Sequence, residues 1–110
     1  MTGQRAAAPS AGDDEMQLFD SHCHVYDERM PGGTRGAVDA ARAAGVTGMV
    51  AVGCYRTTSE AAIAAAAEHD DVWATVGLHP HEARHGVETI LDLLDRPGVV
   101  AVGEAGLDYF

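Results

Sequence analysis

The densest concentration of chemically capable residues is Asp20-Ser21-His22-Cys23-His24. In an extended strand alternate side chains share a face, so two histidines one residue apart can aim both imidazoles at one cation, at Zn–N distances of about 2.0–2.1 Å. Asp20 has the same parity. It can hydrogen-bond a ligand imidazole and fix its tautomer, or approach the metal itself. The competing reading is two ordinary polar histidines at a strand end. Cys23 has the opposite parity and is expected to pack against a helix layer, and Cys54 to pack likewise. Both are read as reduced thiols, because two cysteines are too few to staple a chain of this size.

Glu104 directly follows the apolar run Val99-Val100-Ala101-Val102. A carboxylate there faces a desolvation cost unless it is paired, protonated or bound to a cation; an arginine partner or simple exposure in a loop are the alternatives. A carboxylate beside an imidazole pair lets a bound water lose its proton near neutral pH, and a bridging carboxylate admits two metals. Both versions imply hydrolysis. His79 and His81 flank Pro80, which disfavours helix at the preceding residue, so this stretch is expected to be loop. His79 lies closer to a strand end and suits either contact with a substrate anion or a structural hydrogen bond. His69, His81 and His85 are expected to face solvent. Asp108 fits positioning of neighbours, substrate contact, or N-capping of a following helix.

These residues need elements to carry them. Short apolar runs begin near Gln17, Val46, Val72 and Val99, at intervals of 29, 26 and 27 residues. Such an interval holds one strand, one helix and two short loops, the unit of a parallel sheet. The runs Met49-Val50-Ala51-Val52, Val72-Trp73-Ala74-Thr75-Val76 and Val99 to Val102 are nearly all apolar, as expected of strands covered on both faces. Gly36 to Ala44 is alanine-rich and predicts a helix stopped by Gly45. Thr57 and Glu60 have capping-box spacing ahead of a second helix reaching Glu68. Val87, Ile90, Leu91 and Leu94 have the i, i+3, i+4, i+7 pattern of a third, before Arg96-Pro97-Gly98 turns the chain. The candidate residues all follow strand C-termini, where α/β barrels and open α/β sheets build their sites.

The chain has 110 residues, which fits one small domain. Its 46% apolar and 22% charged residues are those of a globular protein. Residues 1–16, with the acidic run Asp13-Asp14-Glu15 and no apolar periodicity, are expected to form a disordered tail, leaving 17–110 as the folded unit. No apolar stretch suits a membrane span or a secretory leader, so a cytoplasmic location without membrane contact is expected. Seven arginines and no lysine against seventeen acidic residues give a net charge of −10. That is opposite to the footprint of a protein gripping nucleic acid by its phosphates, so an anionic substrate would need local help.

Three stretches together carry a resemblance. Phe19-Asp20-Ser21-His22-Cys23-His24, Gly77-Leu78-His79-Pro80-His81-Glu82-Ala83 and Gly103-Glu104-Ala105-Gly106-Leu107-Asp108-Tyr109 are similar, in order and spacing, to the N-terminal signatures of the TatD family of metal-dependent hydrolases. The likeness covers about Gln17 to Phe110. It implies a TIM-type (β/α)8 barrel, here truncated to about its first four βα units. It also implies divalent-metal hydrolysis of phosphodiester bonds in DNA or a related substrate, in the manner of a 3′ to 5′ exodeoxyribonuclease. Carried over by position, His22 and His24 would bind metal, Glu104 would be a shared, catalytic carboxylate ligand, and His79 would lie near the substrate phosphate. The implied cofactor is two divalent ions per complete site, with zinc, magnesium and manganese not distinguished. Family members draw two further histidines and an aspartate from the second half of the barrel. The expectation is therefore a fragment that does not complete the site alone, with self-association through exposed strand edges as a partner mode. Two other readings stand beside it: amidohydrolase-type cleavage of an amide or lactam, which also begins with a histidine pair but often uses a lysine this chain lacks, and a non-catalytic truncated gene product.

Overall fold

The computed structural model describes residues 16–109, so all but the last residue of the expected tail lies outside the described residues. The elements run β1 (Leu18–Cys23), α1 (Gly33–Ala43), β2 (Val46–Val52), α2 (Arg56–Glu68), β3 (Val72–Val76), three short 3₁₀ turns (Pro80–His85, Val87–Thr89, Leu91–Leu93) and β4 (Val99–Val102). All strand pairs are parallel and the sheet order is β1-β2-β3-β4. Sequential parallel neighbours joined by helical crossovers are the arrangement of consecutive units in a TIM-type barrel.

The core lies between the sheet and its helices. Met49, Ala51, Val72, Ala74 and Val76 project from β2 and β3 onto Val38 of α1, Ala62, Ile63, Ala65 and Ala66 of α2, and Ile90 and Leu93. The alanines of α2 let its backbone approach the sheet closely. A Cβ on Gly53 would stand only 2.2 Å from Ser59 Oγ, which is why the residue after β2 is glycine. Arg42, near the C-terminus of α1, grips the Asp71 carboxylate with Nε at 2.6 Å and Nη2 at 2.7 Å and so ties α1 to the start of β3. Among the described residues no helix is long and apolar enough to cross a membrane.

Three sequence expectations need correction. The helix expected over Val87–Leu94 is instead two 3₁₀ turns separated at Ile90, whose φ is −121°. Ile90 and Leu93 are buried three residues apart while Val87 and Leu91 are more than half exposed, so burial follows the three-residue period of a 3₁₀ turn. The N-cap of α2 is Tyr55, two residues before the expected Thr57, and the side chain reaching back over the helix start is that of Thr58. Its hydroxyl accepts the backbone N–H groups of Cys54 (2.8 Å) and Tyr55 (3.1 Å), while Glu60 pairs with Arg56. Lastly, β2 and β3 are covered as expected, whereas Val100 and Val102 of β4 are 56% and 68% exposed, because among the described residues β4 has a strand on one edge only.

Candidate metal centre

The C-terminal ends of all four strands meet at one place, and backbone bonds tie those of β2, β3 and β4 together. The Gly103 N–H donates to the Val76 carbonyl (3.0 Å), the Glu104 N–H to the Gly53 carbonyl (2.9 Å) and the His79 N–H to the Cys54 carbonyl (2.7 Å). Thr75 adds a hydroxyl bond to the Gly103 carbonyl at 2.8 Å. Gly77 makes this convergence possible: a Cβ there would lie 2.3 Å from the Gly103 carbonyl carbon.

This scaffold brings Glu104 into the middle of three imidazoles. Its Oε2 lies 3.3 Å from His22 Nε2 and 3.7 Å from His24 Nε2, and its Oε1 lies 3.6 Å from His79 Nε2. Most of these separations are too long for hydrogen bonds. They are close to the ~3.4 Å edge between donors bound tetrahedrally at 2.0–2.2 Å from one ion. His22, His24 and Glu104 each offer a ligand atom, all within 4.8 Å of one another.

His24 and His79 are fixed in opposite senses. His24 Nδ1 lies 3.0 Å from the Val52 carbonyl, which can only accept, so Nδ1 carries the proton and Nε2 turns a lone pair toward Glu104. A lone pair facing a carboxylate calls for a cation between them, and a ring N–H given to a backbone carbonyl is the habitual support of a ligating histidine. A divalent ion fits this nitrogen-nitrogen-oxygen set. In His79 it is Nδ1 that accepts, from the His81 backbone N–H at 3.0 Å, so the neutral ring carries its proton on Nε2. His79 is thereby a donor, suited to an anionic oxygen.

Asp20 acts through the backbone. Its Oδ1 accepts the His22 N–H at 3.0 Å, within the register shift that interrupts β1–β2 pairing between Asp20 and Cys23. Cys23 packs as expected, its thiol donating to the Val50 carbonyl at 3.3 Å, and burial followed by the Asp20 charge raises its pKa to about 11. Cys54 departs from expectation. Its thiol reaches Glu104 Oε2 at 3.6 Å, and burial first, then the Glu104 charge, raises its pKa. Tyr26, which no spacing argument singled out, lies against His24, with its hydroxyl 2.9 Å from Nδ1. Its pKa is pushed upward, mainly by burial. The only early signal for Tyr26 was an aromatic two residues beyond a histidine pair.

The remaining histidines lie outside the cluster. His81 pairs with Asp108 and is largely exposed, and His85 pairs with Glu82 at 3.2 Å while stacking on Tyr55. His69, expected in solvent, is half-buried at the end of α2, with its Nε2 atom covered.

A parallel βα sheet with a histidine pair at the end of its first strand and a carboxylate after its fourth defines an α/β protein of the barrel type with a candidate metal site. The family model described as TatD related DNase matches residues 19–110, and the chain belongs to that family. Relatives named 3′-5′ ssDNA/RNA exonuclease TatD are similar to it. The protein from Enterobacter lignolyticus (strain SCF1) is 35% identical over 96 residues, and that from Edwardsiella piscicida 37% identical over 97; each match covers 84% of this chain and 37% of the relative. The protein from Rahnella sp. (strain Y9602) is 46% identical over 77 residues, 66% of this chain and 29% of the relative. The matches thus span 29–37% of the length of these relatives.

Proposed function

We propose that this chain supplies the N-terminal share of the active site of a divalent-metal-dependent hydrolase that removes nucleotides from the 3′ end of single-stranded nucleic acid. The observation carrying this reading is Glu104 Oε2 at 3.3 and 3.7 Å from two imidazole nitrogens, with the His24 lone pair turned toward it. His22, His24 and Glu104 would hold the metal, with Glu104 able to serve a second ion through its other oxygen. A divalent cation supplies acidification of bound water and neutralisation of charge building on phosphoryl oxygens.

The chain's own groups do the rest. The His79 Nε2–H would donate to a non-bridging phosphate oxygen, supporting both binding and the developing charge. Asp20 holds the backbone of His22, and thereby the direction of that imidazole. With a net charge of −10 the molecule as a whole repels a polyanion, so attraction has to come from the cation and His79 together. Both cysteines are free thiols, which fits a reducing cytoplasmic setting.

The test is zinc and manganese binding by this chain, measured by chelator competition, beside release of 3′-terminal nucleotides from a single-stranded oligonucleotide, with and without chelator, by the chain joined to the C-terminal remainder of a TatD relative. Metal binding that falls at least tenfold in His22→Ala, with chelator-sensitive nucleotide release, supports the proposal. Equal binding by parent and variant overturns the metal assignment. Turnover of a cyclic amide in place of the oligonucleotide overturns the substrate class.

A further inference from the structure

Val52 lies one residue beyond the last β1–β2 register pair, Cys23 with Ala51. Two side chains serve its carbonyl: Tyr26 donates its hydroxyl to it, and His24 Nδ1 lies 3.0 Å away. A carbonyl oxygen has two lone pairs, so it can accept both. The Tyr26 oxygen is itself 2.9 Å from His24 Nδ1, so the imidazole edge faces two oxygens. The turn closed by the Asp27 N–H donating to the His24 carbonyl (3.0 Å) folds the chain back and brings Tyr26 beside His24. The rings complete the clamp. His24 stands edge-on to His22 at 5.2 Å and to Tyr26 at 5.7 Å, with interplanar angles of 80° and 81°. Thr58, in the first turn of α2, and Cys54 also face the Tyr26 hydroxyl.

We infer that Tyr26 is a positioning residue for the metal centre: its hydroxyl, together with the Val52 carbonyl, holds His24 in the Nδ1-protonated form and aims Nε2 at the point shared with Glu104. This deepens the metal-site reading above and rests on it. The hydroxyl does two things at once. By donating to Val52 it fixes the carbonyl that His24 uses, and through its own oxygen it offers the Nδ1 proton a second acceptor. With the hydroxyl removed, the imidazole keeps one acceptor, and the cost of rotating it or moving its proton to Nε2 falls. In that second form Nε2 has no lone pair to give a cation.

The experiment uses the full chain and Tyr26→Phe, which keeps the ring packed on His24 and removes only the oxygen. Long-range proton–nitrogen NMR correlations of the metal-free protein report which His24 nitrogen is protonated, and chelator competition reports zinc affinity. The parent is expected to hold the Nδ1-protonated tautomer. The variant is expected to mix tautomers and to bind zinc about 10–100-fold more weakly, the usual loss when a ligand's supporting hydrogen bond is removed. A parent whose His24 is protonated on Nε2 overturns the proposal, whether or not the variant folds. So does a folded variant that keeps the parent tautomer and binds zinc within twofold. A parent that takes no zinc removes the metal reading by itself, and the tautomer of His24 in the two proteins then decides the role of Tyr26.

Discussion

His24 shows how much a single proton decides. The Val52 carbonyl can only accept and the Tyr26 hydroxyl stands beside it, so the two together keep the proton on Nδ1 and leave Nε2 its lone pair. Glu104 supplies the complementary charge. Glu104→Gln keeps the shape and removes that charge, so zinc affinity by chelator competition should fall by more than the roughly 10–100-fold typical of an outer hydrogen bond, while the thermal midpoint of the metal-free chain changes little. Gly77→Ala should act differently. Its methyl would meet the Gly103 carbonyl at 2.3 Å, so the Gly103–Glu104 backbone has to move. A loss of about 1–3 kcal/mol in urea unfolding is expected, accompanied by weaker metal binding. The histidine pair and Glu104 were legible because a period of two and a strand end are sequence properties. Tyr26 and Cys54 were not, since a turn and a loop deliver them to the site and neither leaves a periodic mark. The Asp20 carboxylate was expected to hydrogen-bond a ligand imidazole or to approach the metal itself. It holds the His22 N–H within a register shift that strict alternation has no means of announcing.

Strands and helices were read where one periodic signal ruled. The uninterrupted apolar runs became β2 and β3, and the alanine-rich stretches became α1 and α2. The failure came at Val87 to Leu94, where Ile90 and Leu93 satisfy both a 3.6 and a 3.0 repeat and only the depth of Val87 and Leu91 separates them. What binds these elements is partly ionic. Asp71, with its side chain 7% exposed, receives two bonds from Arg42, whose hydrogen bonds hold the Asp71 carboxyl below its ordinary pKa against the opposing effect of burial. The unfolded chain therefore takes up that proton more readily. The contribution of Asp71 is complete above the unfolded carboxylate value of about 3.9 and is lost as pH falls through the lower folded value. Asp71→Asn should cost about 1–2 kcal/mol at neutral pH, less than for a fully buried pair because Arg42 is 39% exposed. Urea midpoints of parent and variant should converge on acidification. A constant gap from neutral pH down to pH 2 would refute the linkage.

Seen entire, the molecule has a firm centre and open flanks. β2 and β3 are paired on both edges, while among the described residues β1 and β4 are each paired on one. The flanking strands also carry exposed apolar side chains: Phe19 is 57% exposed and Val102 68%. Yet His22 and His24 lie at the end of β1 and Glu104 just past β4, so the proposed metal ligands stand on the two strands with the fewest neighbours. Local stability follows buried contacts and paired edges, so amide exchange should be slowest in β2 and β3 and markedly faster in β1 and β4. Adding zinc should slow exchange in β1 and around residues 103–104 selectively, because an ion shared by His22, His24 and Glu104 links the flanks across the sheet and binds only the folded form. Pairing of copies through the strand edges would instead protect β1 and β4 in proportion to protein concentration, without metal. Exchange measured at two protein concentrations, each with and without zinc, separates these effects. Uniform protection of all four strands in dilute, metal-free protein would contradict the proposed order of local stabilities.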